Sequence, residues 1–145
     1  MLTLNQLKRK LIKLFESHKQ ISTTVYSNNF SFSAERNLTY PVANIEFLES
    51  NIKDKELIRS YNIVLGDLIH PEKLESEDEI VSDMELIAED FFAALQNDAD
   101  VFLIKSSSLQ KFSDSNGDRV SGITFRVNIS VIRSQNPCAI PVKFV

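Results

Sequence analysis

The sequence is poor in the residues that build covalent frameworks, phosphate-binding loops and membrane spans. Its 145 residues include one cysteine, Cys138, so an internal disulfide is excluded and a reducing compartment is expected. Three glycines leave no glycine-rich phosphate loop. No stretch approaches the roughly 20 consecutive apolar residues of a membrane span. No long apolar run follows the N-terminal lysines, as a secretory signal would require, so we expect synthesis in the cytoplasm and no membrane partner.

The composition is that of an ordinary globular domain. Hydrophobic residues make up 43% of the chain and charged residues 25%, a balance too apolar for a disordered segment. A chain of this length forms one domain with a real core, so we expect a single domain over 1–145, with 135–145 as a C-terminal tail. The net charge of −4 argues against a protein that grips nucleic acid by neutralising phosphates.

Two stretches have the periodicity of amphipathic helices. Between Ser76 and Gln96 the apolar residues fall on one helical stripe, which comprises Ile80, Met84, Ile87, Phe91 and Leu95. Ser76 and Glu79 have the spacing of a capping box. A first helix is predicted from Thr3 to about Lys19, with Thr3 and Gln6 at the same spacing and a largely basic outer face.

The remaining pattern is that of strands. Residues alternate most cleanly at the C-terminal end, from Ile123 to Val131. The other predicted strands cover 24–33, 40–47, 57–69 and 101–104, with a charged connection from Glu49 to Glu56 and a long polar loop from Ser106 to Asp118. Strands and helices do not alternate strictly, so we predict an α+β fold. It has a mainly antiparallel sheet of about five strands, two helices packed on one face, and the order α-β-β-β-α-β-β.

Few residues offer chemistry. His18 and His70 have no serine or cysteine motif near them, and nothing basic flanks Cys138 to activate it as a nucleophile. Residues 114–118 suggest a calcium loop, but the glycine falls one place early and Phe125 stands where the bidentate glutamate belongs, so a hairpin turn at Asn116-Gly117 is preferred. We therefore predict no catalytic residue, no cofactor and no metal.

Three segments together resemble a known family. They are the third strand running into the acidic helix (SYNIVLGDLIHPEK, then EDEIVSDMELIAEDFFAAL), the last strand (GITFRVNISVI) and the ending NPCAIP. They resemble the small neck and tail-terminator-like proteins of tailed bacteriophages, especially phages of Bacteroides and the crAss-like phages. A Cys-x-Ile-Pro ending recurs there and is matched by Cys138, Ile140 and Pro141. The likeness covers about residues 40 to 141.

The resemblance implies a ring-forming, non-enzymatic head–tail connector or tail-terminator subunit in the virion. Its expected partners are further copies of itself, the portal and neighbouring neck or tail proteins, with DNA passing through the ring without sequence-specific binding. Made in the host cytoplasm, it would reside in the neck or tail.

Two segments are candidate interfaces. The polar loop offers Ser113, Asp114, Asn116 and Asp118, and we predict that it is mobile in the free subunit and ordered in the assembly, since long loops in compact domains are often functional. The tail offers the mostly apolar residues Pro141, Val142, Phe144 and Val145. Such a tail either docks on a neighbouring protein or folds back on its own core.

Two other functions stay open at this point. One is a non-enzymatic intracellular protein-binding module that acts as a monomer or dimer. The other is a small hydrolase or nuclease whose active site is dispersed along the sequence.

Overall fold

The computed structural model describes residues 2–28, 38–69, 76–104, 108–114 and 120–133. The helices and strands, in chain order, are α1 (Leu4–Glu16), β1 (Thr23–Tyr26), β2 (Val42–Lys53), β3 (Glu56–Leu68), α2 (Ser76–Gln96), β4 (Phe102–Ile104), β5 (Gln110–Asp114) and β6 (Val120–Ile132).

The strands form one sheet in the order β1-β2-β3-β6-β4, and β5 also pairs with β6. All pairs are antiparallel except β1 and β2, which are parallel, so the sheet is mixed. The predicted α+β class and the order of two helices and five strands are confirmed. The short β5 is an additional strand before the long β6.

Two connections predicted from the sequence are wrong. The stretch from Glu49 to Glu56 is not a charged connection, because β2 and β3 stay paired up to a two-residue turn at Asp54-Lys55. The range from Ser106 to Asp118 is not loop throughout, because β5 lies within it and pairs with β6. Of the predicted first strand, the structure shows Thr23–Tyr26, and Phe30 and Phe32 lie outside the described residues.

The core lies between one face of the sheet and the two helices. Alternate residues of the three central strands point into it, and all are buried: Ala43, Ile45, Tyr61, Ile63, Leu65, Ile123, Phe125, Val127 and Ile129. The predicted stripe of α2 is buried against them, and α1 adds Leu7, Leu11 and Phe15. Phe15 stacks on Phe91 with ring centroids 4.8 Å apart, and Phe91 lies 6.1 Å from Phe125. The two helices and the sheet therefore meet at one aromatic contact.

The opposite face of the sheet is polar over most of its length. Its side chains bond across the strands: the Ser60 hydroxyl donates to Asn128 at 2.7 Å and the Thr124 hydroxyl to Asn62 at 3.3 Å. At its β1 end this face is apolar, because Val42 and Val120 are buried there with Phe112 packed beside them. One face thus carries the core and the other is hydrogen-bonded, as in an antiparallel sheet with one wet side.

Side-chain contacts fasten α1 at its start and at its middle. The predicted capping box is present: the Thr3 hydroxyl accepts from the Gln6 N–H at 3.2 Å, and the Gln6 side chain accepts from the Thr3 N–H at 2.9 Å. Lys10 pairs with Asp98, just beyond the end of α2. This contact and the Asp100 N–H lower the pKa of the Asp98 carboxyl, so the pair helps to hold the two helices together.

Substitution of Phe91 tests the aromatic contact. Phe91→Ala should lower the free energy of unfolding by about 3–5 kcal/mol, because a 4% exposed ring leaves a cavity between both helices and the sheet. The control Glu85→Ala, on the exposed face of the same helix, should change it by less than about 0.5 kcal/mol. Chemical denaturation measures both, and equal losses would contradict this assignment of faces.

Candidate functional site

The end of the sheet at the β2–β3 turn forms an arm, made by residues 48–58 of the hairpin and 131–133 at the end of β6, in which β2 is exposed and Val131 is buried. Asp54 takes a φ of 47° in the turn, the left-handed region that aspartate tolerates better than most residues. Every residue of β2 from Leu48 to Lys53 is exposed, in contrast to the buried start of the same strand. The hairpin therefore extends past the part of the sheet that the helices cover.

The arm presents large apolar side chains to solvent. Ile52 is 69% exposed, Ile132 58% and Leu48 40%. A β-bulge lies at Leu48, since Phe47 pairs with Tyr61 and Glu49 with Ser60. Bulges bend a strand and increase its twist, and they are frequent next to functional edges. Leu48 and Ile52 lie on the hairpin and Ile132 at the end of β6, and such exposed aliphatic side chains gain from being covered.

One edge of the arm is the outer edge of β2. β1 pairs with β2 only from Val42 to Ile45, and the Ser27 N–H donates to the Ile45 carbonyl at 3.2 Å. From Glu46 to Lys53 the outer edge of β2 pairs with none of the described strands. Such an edge presents a row of N–H and C=O groups that can pair with another strand.

Arg133, the last described residue before the C-terminal tail, lies at the tip of this arm. The Arg133 N–H donates to the Lys55 carbonyl at 2.7 Å, and its guanidinium donates to the Asp54 carbonyl at 2.9 Å. The predicted interface residues Pro141, Val142, Phe144 and Val145 lie outside the described residues. The structure thus places the root of the tail beside the exposed apolar side chains, which the sequence pattern did not indicate.

The predicted loop site is partly a strand held by α2. Ser113 and Asp114 are the last residues of β5, and the Ser113 hydroxyl donates to the Glu77 carboxylate. The Lys111 ammonium lies 3.4 Å from the same carboxylate. The Ser113 hydroxyl, and then Lys111, lower the pKa of Glu77. Of the predicted loop set, Asn116 and Asp118 lie outside the described residues.

A buried cation lies at the base of the arm. Arg59 is 4% exposed, and its guanidinium donates to the Leu2 carbonyl at 2.8 Å. Burial lowers its pKa, but an arginine stays protonated under physiological conditions. Beside it, burial raises the pKa of Tyr61, and the neighbouring Tyr26 adds to the effect, so both phenols are neutral. This cluster ties the start of α1 to β3 where the arm begins.

The one histidine in the described residues, His18, makes a structural contact. Its Nε2 lies 2.8 Å from Asp90, and its Nδ1 accepts from the Gln20 N–H at 3.1 Å. The pair borders a cavity of about 200 Å³ between α1 and α2. The neighbouring Ser17 hydroxyl donates to the Lys13 carbonyl at 2.6 Å. Because both ring nitrogens are occupied, His18 has none left to activate a nucleophile in this arrangement.

Within the described ranges, no group of three histidine, cysteine, aspartate or glutamate residues lies close enough to hold a metal ion. None of the helices described is both long and apolar enough to cross a membrane. His70 and Cys138, the other candidate chemical groups, lie outside the described residues.

Comparisons with known proteins add no identification. No protein-family model matches the chain, and a search of curated proteins finds no match.

Removing Glu77 should loosen β5. Glu77→Ala should raise hydrogen exchange at the amides of residues 111–113 near pH 7, because the Ser113 and Lys111 contacts are lost. A carboxyl whose folded pKa is lowered stabilises above its unfolded pKa, and the effect disappears as the pH falls through the folded value. The difference in protection between variant and wild type should therefore vanish at strongly acidic pH.

Asp78→Ala is the matched control, since Asp78 is exposed in the same helical turn. It should leave protection of β5 unchanged at both pH values. If Glu77→Ala also left it unchanged at neutral pH, the contact would not hold β5 in place.

Proposed function

We propose that this protein is a structural virion subunit, a ring-forming head–tail connector or tail terminator in the neck of a tailed phage. The proposal starts from the resemblance of the third strand, acidic helix, last strand and Cys-x-Ile-Pro ending. The observation that carries it further is the arm, which exposes Leu48 and Ile52 on the hairpin and Ile132 at the end of β6. A subunit that works by assembling with its neighbours needs such a surface.

The arm is suited to assembly because it is separate from the core. The aromatic contact between helices and sheet stabilises the subunit, while the arm exposes apolar side chains and an edge that none of the described strands covers. A soluble monomer normally protects such an edge with charge, bulges or a covering element. Here the bulge at Leu48 is present, but β2 still has its outer edge open beyond it among the described strands.

The partners follow from the proposed place in the neck. They are further copies of the subunit, the portal and adjacent neck or tail proteins. DNA would pass through the ring without sequence-specific contacts, and the net charge of −4 suits a channel in which DNA slides, since gripping phosphates would oppose movement. The proposal includes no enzymatic activity and no cofactor.

The open edge of β2 also favours a second candidate function. A non-enzymatic intracellular module, acting as a monomer or dimer, could bind an extended peptide by adding it as a strand along residues 46–53. Such a module would be absent from virions and would form no ring.

Two measurements separate these functions. Mass spectrometry of purified phage particles should detect the chain as a virion component. Negative-stain imaging of the protein, alone and with the portal of the same phage, should show rings. Absence of the chain from particles would overturn the virion proposal, and a monomer or dimer that never joins the portal would favour the binding module.

Deletion of Val142 to Val145 tests the role of the tail. If the tail docks on a neighbouring protein, the deletion should leave the melting temperature of the free subunit nearly unchanged and abolish assembly with its partners. The physical reason is that the tail root lies on the arm, away from the aromatic contact of the core. Calorimetry and light scattering measure the two effects.

A variant with serine at Val142, Phe144 and Val145 keeps the length of the tail and Lys143. It should fail to assemble in the same way, because apolar contacts and not chain length drive docking. A large fall in melting temperature, with assembly intact in the folded fraction, would show that the tail packs on its own subunit instead.

A further inference from the structure

The contacts of β2 identify which of its residues turn their backbone N–H and C=O groups away from β3, toward the outer edge of the sheet. The Ile45 carbonyl points outward, since it accepts from the Ser27 N–H of the β1 segment. The direction of backbone N–H and C=O groups alternates along a strand, so the backbone groups of Phe47 also point outward. The bulge at Leu48 inserts one residue, and outward-pointing groups therefore resume at Ser50 and Ile52.

We propose that in the unassembled protein two copies of this chain pair antiparallel through the edge from Glu46 to Lys53, about a two-fold axis at Ser50. Pairing this edge, which none of the described strands covers, with itself over its full length places Ser50 opposite Ser50 of the second copy. Leu48 and Glu49 share one position because of the bulge. Phe47 of one copy therefore faces Ile52 of the other, and Glu46 of one copy faces Lys53 of the other.

In this register, the side chains that face each other across the two copies lie on the same side of the sheet. Phe47 pairs with Tyr61 and Ile52 with Leu57, which places both on the core side of the sheet. The 69% exposed Ile52 would be covered by Phe47 of the second copy. Aromatic–aliphatic pairs directly opposite each other stabilise antiparallel strands.

The charges also agree. Glu46 and Lys53 share the other face, and neither has an ion-pair partner among the described residues. Each copy would supply one of each, so the two-fold axis generates two Glu46–Lys53 pairs. Glu49, at the bulge, would lie near Asn51, so no like charges are directly opposed.

The backbone phase completes the match. The backbone groups of Phe47, Ser50 and Ile52 all point outward. The register pairs Ser50 with Ser50 and Phe47 with Ile52, so about six backbone hydrogen bonds can join the two copies. Side-chain pattern, charge and backbone direction thus select the same register. The pairing would cover an edge that otherwise recruits other strands.

This contact goes beyond the proposed function. A two-fold contact uses the same patch on both copies and does not close a ring, so a ring needs a different contact. The inference concerns the free protein and can fail while the virion proposal stands.

Cysteine cross-linking tests the axis. Ser50→Cys combined with Cys138→Ser should form a covalent dimer on mild oxidation, because directly opposite residues in a hydrogen-bonded pair have Cα atoms about 5.5 Å apart. Lys53→Cys with Cys138→Ser is the control, since its two copies would lie about 20 Å apart along the strands. Efficient cross-linking of the first variant alone supports the register. No cross-link, or equal yields from both variants, would overturn it.

Backbone and charge variants test the same contact in solution. Ser50→Pro removes an outward N–H and spares the bonds to β3, so it should give a folded monomer, whereas Ser50→Ala should remain a dimer. Lys53→Glu and Glu46→Lys should each weaken the dimer about tenfold or more, and the double variant should restore it.

Analytical ultracentrifugation over a concentration series measures these effects, with thermal unfolding as the check on folding. A wild-type protein that stays monomeric throughout would overturn the inference. So would a folded Ser50→Pro variant that still dimerises, or charge reversals without effect. Rings in virions alongside any of these results would leave the proposed function standing.

Discussion

The stacking of Phe15 on Phe91, with Phe125 beneath, is the contact on which the rest of the structure depends. It joins α1, α2 and β6, which are far apart in the sequence, and it lies within a core that one face of the sheet and the two helices share. Each aromatic side chain buries a large apolar area, so a few rings fix how the helices lie on the sheet. The stability of the domain is thereby concentrated away from the hairpin arm.

The elements of this core could be predicted because their burial is one-sided. The α2 stripe and the alternation of β6 each have one apolar face, and that asymmetry is what periodicity detects. The arm could not be predicted in the same way. Residues 49–53 are exposed on both faces, so their polarity resembles that of a loop although they pair with β3. β5 escaped prediction for the same reason: Lys111 and Ser113 are exposed and polar.

The candidate site shows a related limit. The apolar character of the tail is visible in the sequence, but its starting point on the arm depends on the contacts of Arg133 with the Asp54-Lys55 turn. Those residues are about eighty positions apart, and no local pattern brings them together. Likewise, Ile52 is an isolated apolar residue in a charged stretch, and only the sheet register reveals that it lies on an edge that none of the described strands covers.

The separation of core and arm has a consequence for how such a subunit can work. If the same residues stabilised the domain and bound its neighbours, a change in binding would also change the stability of the domain. Here the buried Arg59 connects the base of the arm to the start of α1, while β2 beyond it, from Leu48 to Lys53, is exposed. Because the arm is supported at its base and exposed along its length, it can exchange one covering partner for another while the core stays intact. On the two proposals, the free dimer and the assembled subunit would be two states of one unchanged domain.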